Sequence, residues 1–187
     1  MKVPGSPPGQ PLAPEDIDRG FEHGTLFQRS AYRLELLDWY TSPATERRLA
    51  RFLAGEKVTA AERASWLTTV RKAKAAGATM TRVHVVAEPL SDYLRYELNC
   101  YESSVAAGED VRILPADQAT GIDLPAFDYW LFDDERAAIQ HYGVRGTWLG
   151  ASLVTDLAFI KSCQRWRDAT LSMATPLDAF MADRSMA

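Results

Sequence analysis

Hydrophobic and polar residues follow one another in blocks that predict an α/β fold. The segment Arg82–Tyr142 shows this most clearly. Its β-branched run Arg82–Val86 leads into an amphipathic stretch that Gly108 ends, and a second apolar run, Val111–Leu114, follows within three residues. Such short connections predict two parallel strands joined by a right-handed crossover helix. Tyr129–Phe132 is apolar on both faces, which predicts a central strand.

Helical spacing within this segment predicts which side chains face the core. The predicted helix carries an apolar stripe at i, i+4, i+7 and i+11, formed by Leu94, Leu98, Tyr101 and Val105. We expect the strands to contribute the remaining core residues, namely Val83, Val85, Ile113, Leu131 and Phe132.

The flanking segments complete the predicted domain. AYRLELL alternates apolar and charged residues with period two, which predicts a half-buried strand. A helical basic segment is expected over 43–77 and a C-terminal helix over 155–174. Residues 1–14 hold five of the ten prolines and predict a disordered tail. We therefore expect one mixed-sheet α/β domain over 15–182, with N-terminal helices, an α/β unit over 82–142 and a C-terminal helix.

Composition excludes several classes of protein. With 187 residues, 47% of them hydrophobic and 25% charged, the chain is typical of a single globular domain. No apolar run approaches the roughly 20 residues that a transmembrane helix requires, and the N-terminus lacks the apolar region of a secretory signal. Cys100 and Cys163 each lie in a predicted helix and are expected to be buried and unbridged. These features predict a cytoplasmic protein without membrane contact.

Charge is distributed unevenly along the chain. Residues 43–82 hold nine Lys/Arg and three Asp/Glu, whereas residues 83–142 hold three Arg and twelve Asp/Glu. One interpretation is that the basic helices pack against the acidic unit. The other is that they present a surface for an acidic partner, formed by Arg47, Arg48, Arg51, Arg71, Lys72 and Lys74. A pI near 5.4 argues against direct binding of nucleic acid.

No motif for catalysis, a metal or a cofactor is present in the sequence. His84 and His141 lack a His or Cys partner at ligand spacing, so both are interpreted as structural histidines and no metal or cofactor is expected. The chain contains neither Gly-x-Ser-x-Gly nor a Gly-rich phosphate loop. Asp128 and Asp133 flank the predicted central strand and are interpreted as turn residues.

A polar cluster at the end of the first predicted strand is the candidate ligand site. It comprises Glu88, Asp92, Arg95 and Glu97, with Arg112 on the following strand. The carboxyl ends of parallel strands, where a helix begins, are the usual ligand position in open α/β sheets. The alternative is an ion-pair network that closes the edge of the sheet.

Several stretches resemble an uncharacterised actinobacterial domain family. The most specific are EPLSDYLRYEL and AAGEDVRILP, and the likeness covers residues 27–180. Members of that family are often encoded beside helix-turn-helix regulators, as in WhiJ-type loci. The resemblance implies a regulatory role and supplies no catalytic residues.

A more distant likeness is to one half of the phospholipase D-like fold, which also has a strand–helix–strand unit followed by a hairpin with an aspartate turn. Active members carry His-x-Lys-x-x-x-x-Asp, but neither His84 nor His141 is followed by the lysine. The likeness therefore implies a degenerate copy, and fold alone does not establish activity.

These observations favour a non-catalytic cytoplasmic regulatory module that binds a partner protein, with a helix-turn-helix transcription regulator as the candidate partner. The alternative is a phosphoester-type enzyme or small-molecule sensor that uses the region Glu88–Arg95. A phospholipase D-like half normally faces a second half, so we also expect a homodimer through outer hairpin residues such as Ile139 and Tyr142. Against this, the C-terminal helix could cover that surface with Ile160, Trp166 and Met173 and leave a monomer.

Overall fold

The computed structural model describes residues 9–185, which form one mixed sheet flanked by helices. Its strands are β1 (Gln10–Leu12), β2 (Ser30–Glu35), β3 (Thr79–Val86), β4 (Asp110–Pro115), β5 (Tyr129–Phe132), β6 (Arg136–Tyr142), β7 (Trp148–Val154) and β8 (Thr175–Pro176). Its α-helices are α1 (Pro14–Glu22), α2 (Pro43–Leu53), α3 (Ala64–Ala75), α4 (Asp92–Ala107), α5 (Leu157–Met173) and α6 (Leu177–Ser185). Short 3₁₀ helices lie at Ala60–Arg63, Gln118–Gly121 and Val144–Gly146.

The sheet is mixed, as the sequence predicts. Its strand order is β1-β7-β6-β5-β2-β3-β4-β8. β2, β3 and β4 are parallel neighbours, and the predicted parallel pairing across α4 is confirmed by the register of Val83 opposite Arg112. β5, β6 and β7 form an antiparallel meander on the other side of β2. Tyr129–Phe132 pairs on both sides, which confirms it as a central strand.

The helices cover both faces of the sheet. On one face, α5 packs Phe159, Ile160 and Cys163 against inward residues of β2, β3, β5 and β6. On the other face, α1 and α3 cover one half of the sheet and α4 and α6 cover the other half. Between these two apolar clusters, the strands present charged and phenolic side chains.

The predicted core is confirmed in its main part. Val83, Val85, Ile113, Leu131 and Phe132 are all buried. In the predicted stripe of α4, Leu94, Leu98 and Tyr101 are buried as well. Val105 is 41% exposed, whereas Ser104 and Ala107 of the same turn are buried, so the buried face of α4 lies to one side of Val105.

Capping residues fix the helix ends near the predicted positions. The Ser42 and Ser91 hydroxyls accept hydrogen bonds from the backbone N–H of Thr45 and Leu94, at 3.0 and 3.1 Å. Gly108 ends α4 with a φ of 116°, a conformation that favours glycine.

The N-terminal segment corrects one expectation. Residues 1–8 of the expected tail lie outside the described residues. Residues 10–12, however, form β1, which pairs antiparallel with β7, and α1 begins at Pro14. Leu12 packs beside the apolar cluster under α1 and α3. The prolines of this stretch are compatible with an edge strand and a first helical turn, where no internal backbone donor is needed.

The surface expected to form a dimer is covered. Ile139 is fully buried and packs in the same cluster as Ile160 and Trp166 of α5. Tyr142 points to the opposite face, where its hydroxyl bonds Arg33. These two residues therefore do not form an exposed apolar face.

Candidate functional site

An open cleft lies over the middle of the sheet, on the face covered by α1, α3 and α4. Its volume is about 570 Å³. Side chains of β2, β3, β5, β6 and β7 form its floor, while α1, α2, α3 and the segments before α2 and α3 form its walls. The floor residues are Arg33, Glu35, Arg82, Trp130, Gln140, Tyr142 and Trp148.

Arg33 lies at the centre of the floor and is only 5% exposed. Its Nε donates to Glu35 Oε1 at 3.2 Å, and its Nη2 donates to Asp128 Oδ2 at 3.1 Å and to the Tyr142 hydroxyl at 2.7 Å. Its Nη1 is buried and has no hydrogen-bond partner among the residues described. A buried donor without a partner costs about 1–3 kcal/mol of stability. A ligand acceptor atom could therefore form a favourable hydrogen bond with this nitrogen.

Arg82 joins the floor to the wall formed by α3. Its Nη1 lies 2.6 Å from Glu35 Oε1, and its Nε donates to Glu109 Oε1 at 2.9 Å. The other oxygen of Glu109 accepts a hydrogen bond of 3.1 Å from Trp66 Nε1 on α3. The guanidinium also lies over the Trp66 ring, 5.7 Å from its centroid. Glu109 therefore links α3, in the wall of the cleft, to β3, in its floor.

Asp128 corrects the expectation of a turn residue, because its carboxylate is almost completely buried. Oδ2 accepts hydrogen bonds from the hydroxyls of Tyr40 and Tyr142, at 2.6 and 2.9 Å, and Oδ1 accepts from the backbone N–H of Leu36. Burial raises the pKa of Asp128, although the nearby Arg33 guanidinium opposes this effect.

Glu35 has the opposite balance. Burial alone would raise its pKa, but the guanidinium groups of Arg82 and Arg33 outweigh this effect and hold the pKa of Glu35 well below its usual range. The Tyr101 hydroxyl also donates to Glu35 Oε2 at 2.7 Å. Glu35 is therefore a fixed negative charge between two arginines.

Phenolic groups surround this charge cluster. Burial, followed by the nearby Asp128 and Glu35, raises the pKa of Tyr40 well above its usual range. Burial likewise raises the pKa of Tyr142, with Arg33 opposing. Both hydroxyls therefore keep their protons at neutral pH and act as hydrogen-bond donors to Asp128.

The walls of the cleft carry charges that lack a partner of opposite sign. Asp18 and Glu22, one helical turn apart on α1, form no ion pair within residues 9–185. Arg48 donates to the Tyr96 hydroxyl and the Glu62 carbonyl, and Arg63 donates to the Ser103 hydroxyl and the Cys100 carbonyl. Neither arginine contacts a carboxylate in the described part of the chain. The cleft thus has an acidic wall and a basic wall.

The predicted ligand residues do not meet at one place. Glu88 pairs with Arg184 of α6, Asp92 pairs with Arg95 within α4, and Arg112 pairs with Asp110 on β4, the last at 3.0 Å. Glu97 lies on α4 close enough to Tyr93 to influence the pKa of that phenol. Glu88 pairs with neither Arg95 nor Arg112, because α6 supplies a closer cation. Ligand binding by this region stays a prediction.

The predicted basic surface divides into two groups. Arg51 pairs with Glu56 and Glu62, both from the basic segment itself, and Arg48 lines the cleft. Arg47, Arg71, Lys72 and Lys74 are exposed and form no ion pair with another described residue. Within residues 43–77 the ion pairs are therefore internal to the segment, whereas Arg48 and Arg63 bond uncharged groups of α4 in the acidic unit.

The histidines have mainly structural roles. His84 is fully buried, with Nε2 3.0 Å from the Leu37 carbonyl and Nδ1 3.0 Å from the Tyr101 hydroxyl, which confirms the structural interpretation. His141 Nε2 contacts the Ser152 hydroxyl at 2.8 Å, while its Nδ1 is buried without a partner in the described chain. Residues 9–185 contain no group of three or more His, Cys, Asp or Glu side chains placed to hold a metal ion.

Sequence reasoning missed Arg33, Glu35, Arg82 and Glu109 as site residues. Alternation in AYRLELL predicted that Arg33 and Glu35 face solvent, but β2 is covered on both faces and both side chains are buried. The available signal was that β2 carries Arg33 and Glu35 at alternate positions and that the apolar run of β3, its parallel neighbour, contains Arg82. Two parallel strands buried on both faces must pair such charges with each other.

The fold and the cleft define an α/β domain whose open cleft lies over a buried network of arginines, carboxylates and tyrosines. A family model described as a domain of unknown function, DUF6879, matches residues 15–182. The chain therefore belongs to this family, and its expected membership of an uncharacterised domain family is confirmed. No curated protein matches the chain. No helix within residues 9–185 is both long and apolar enough to cross a bilayer.

Proposed function

We propose that the protein is a non-catalytic regulatory module that binds a small molecule in the cleft over β2, β3 and β5. The observation that carries this proposal is the buried Arg33 Nη1, which has no hydrogen-bond partner among residues 9–185. Native proteins pair nearly all buried polar groups, and unpaired ones concentrate at functional positions. A bound acceptor atom would complete the hydrogen bonds of Arg33.

The state of the floor carboxylates favours binding over acid–base catalysis. Glu35 is held ionised between two arginines, Asp128 accepts four hydrogen bonds from the chain itself, and Glu109 binds Arg82 and Trp66. A general base needs a free oxygen within reach of the substrate. These carboxylates instead hold the floor rigid, which is what a preorganised binding site requires.

A cleft-filling variant tests this proposal. Ser65 and Thr68 are both exposed on α3, but of the two only Ser65 lines the cleft. A thermal-shift screen of a metabolite library should find compounds that raise the melting temperature of the wild type and of Thr68→Trp, but not of Ser65→Trp. Equal shifts in both variants, or no stabilising compound for the wild type, would argue against the cleft as a binding site.

A second candidate function is binding of a partner protein, and the unpaired cations of α3 favour it. Arg71, Lys72 and Lys74 are exposed within two turns of one helix. Such a patch suits an acidic surface, and the family resemblance suggests a helix-turn-helix regulator as the partner. A pull-down from the native host should recover a regulator with the wild type and lose it when these three residues are changed to Glu.

The matched control for that pull-down changes Lys161 and Arg165 to Glu. These residues lie on α5, on the far side of the sheet, and their substitution should leave recovery unchanged. Failure to recover any regulator under conditions that retain known partners would remove this second candidate.

The distant likeness to a phospholipase D-like half remains part of the proposal. Support comes from β3–α4–β4 followed by the hairpin β5–β6, which has aspartates in its turn. In this interpretation the copy is degenerate and acts in the cytoplasm as a binding module.

A further inference from the structure

The charges around the cleft indicate the chemical class of its ligand, an inference that rests on the proposed function. The floor is already compensated, because Arg33 and Arg82 are paired with Glu35, Asp128 and Glu109. The floor therefore offers a ligand hydrogen bonds more than net charge. Besides Arg33 Nη1, the indole Nε1 of Trp148 is buried without a partner within residues 9–185. Both nitrogens are donors, so the floor requires an acceptor atom from the ligand.

The acidic wall calls for a cation. Asp18 and Glu22 occupy adjacent turns of one face of α1, and both line the cleft. Like charges at this spacing destabilise a helix, and no cation within residues 9–185 pairs with either. Burial, together with Glu22 and Glu15, raises the pKa of Asp18. A ligand ammonium group beside these carboxylates would relieve their repulsion.

The basic wall calls for an anion. Arg48 and Arg63 line the cleft from α2 and from the 3₁₀ helix before α3, and their described hydrogen bonds go to carbonyl and hydroxyl oxygens. Such neutral acceptors leave both guanidinium charges uncompensated. A ligand carboxylate would form the stronger, charge-assisted hydrogen bonds that these groups lack.

Aromatic rings also line the cleft. Phe21 of α1, Trp66 of α3 and Trp130 of β5 contact one another, with ring centroids 5.0–6.0 Å apart. All three line the cleft. They provide apolar surface on which a planar ring can stack.

We propose that the cleft binds a zwitterionic small molecule with an aromatic ring, of the class of free aromatic amino acids. Its ammonium group contacts Asp18 and Glu22, its carboxylate contacts Arg48 and Arg63, and its ring packs on Phe21, Trp66 and Trp130. The donors of Arg33 and Trp148 complete the contacts of its acceptor atoms.

Three probes with a common carbon skeleton test this class by calorimetry. Phenylalanine has both charges, phenethylamine lacks the carboxylate, and 3-phenylpropionate lacks the ammonium group. We expect phenylalanine to bind at least about tenfold more tightly than either of the other probes, since each of those lacks one set of charge-assisted contacts. Equal binding of phenylalanine and a truncated probe would overturn the class but leave the cleft as a binding site. No binding of phenylalanine at millimolar concentration would overturn it as well, while the library screen would still test the cleft itself.

Variants of the acidic and basic walls then show which wall binds which charged group of the ligand. The double substitution Asp18→Asn and Glu22→Gln should weaken the binding of phenylalanine and phenethylamine about tenfold and leave the binding of 3-phenylpropionate unchanged. Arg48→Gln should weaken the binding of phenylalanine and 3-phenylpropionate and leave the binding of phenethylamine unchanged. The control Glu46→Gln changes an exposed charge of α2 outside the cleft lining and should alter none of the three affinities. An unchanged phenylalanine affinity in the Asp18/Glu22 double variant would contradict the proposal.

Discussion

Glu35 Oε1 lies 2.6 Å from Arg82 Nη1, and this ion pair joins two neighbouring parallel strands beneath the cleft. The same oxygen accepts a hydrogen bond from Arg33 on its own strand, so one carboxylate compensates two buried guanidinium groups. Charges buried in this way are tolerated only when each has partners. The floor of the cleft is therefore a rigid unit, in which removal of one charged side chain leaves another buried charge without its partner.

Substitution of Glu35 should destabilise the domain strongly. Glu35→Gln keeps the shape of the side chain but removes the charge between Arg33 and Arg82. Breaking a buried ion pair costs about 3–5 kcal/mol, which urea unfolding would detect. The control Glu135→Gln breaks the exposed pair with Arg29 and should cost about 1 kcal/mol or less. Equal costs in the two variants would show that the Glu35 cluster is not buried as described.

Helix α4 provides a matched test of the core. Leu98 is 1% exposed and Val105 is 41% exposed, two turns apart on the same helix. Leu98→Asp buries a charge without a partner and should unfold the domain, whose total stability is expected to be about 5–15 kcal/mol. Val105→Asp should melt within a few degrees of the wild type by circular dichroism. A Leu98→Asp variant that melts like the wild type would mean that this helix face is assigned wrongly.

Asp133 should make stability depend on pH. Its carboxylate accepts hydrogen bonds from the backbone N–H groups of Gln28, Arg29 and Ser30, at 2.7–2.8 Å. Burial alone would raise the pKa of Asp133, but these hydrogen bonds together lower it below its usual 3.8. Since the folded state binds the proton more weakly than the unfolded state, this contribution is present above pH 3.8 and is lost as the pH falls below it.

Asp133→Asn should therefore cost about 1–3 kcal/mol at neutral pH, with the difference from the wild type shrinking in acid. The neighbour Asp134 also has a positive φ, but within residues 9–185 its exposed carboxylate pairs only with Arg167, so Asp134→Asn is the control for backbone conformation. Urea unfolding at several pH values measures both. A cost of Asp133→Asn that does not change with pH would refute the assigned role of the carboxylate.

Tyr40 and Tyr142 should be energetically coupled, because both donate to the same oxygen of Asp128. Removal of either hydroxyl by substitution with Phe leaves the other to satisfy the carboxylate. The double variant should therefore lose more stability than the sum of the single variants, by about 0.5–3 kcal/mol. Additive losses in a double-mutant cycle would show that the two hydroxyls act independently.

The main elements of the fold could be predicted because their signals are local. The β-branched run before α4, the caps at Ser42 and Ser91 and the glycine at 108 each act within a few residues, and the structure has them in place. β1 escaped prediction because its pairing with β7 joins residues far apart in the sequence. A proline-rich stretch does not reveal which edge it will cover.

The site could not be predicted for a related reason. Period-two alternation identifies two faces of a strand but does not state which face is buried. In β2, the residues of both faces are buried, and the face that carries Arg33 and Glu35 forms part of the cleft floor. Asp128 lies in a loop before β5, and only the fold brings it to Arg33, 95 positions away in the sequence.

The most direct test is a crystal structure of the protein with the most strongly stabilising compound from the library screen. The proposal predicts that the compound lies in the cleft, with an acceptor atom within hydrogen-bond distance of Arg33 Nη1. A compound bound at the Glu88–Arg95 end of α4, with the cleft empty and Arg33 Nη1 still without a partner, would contradict it.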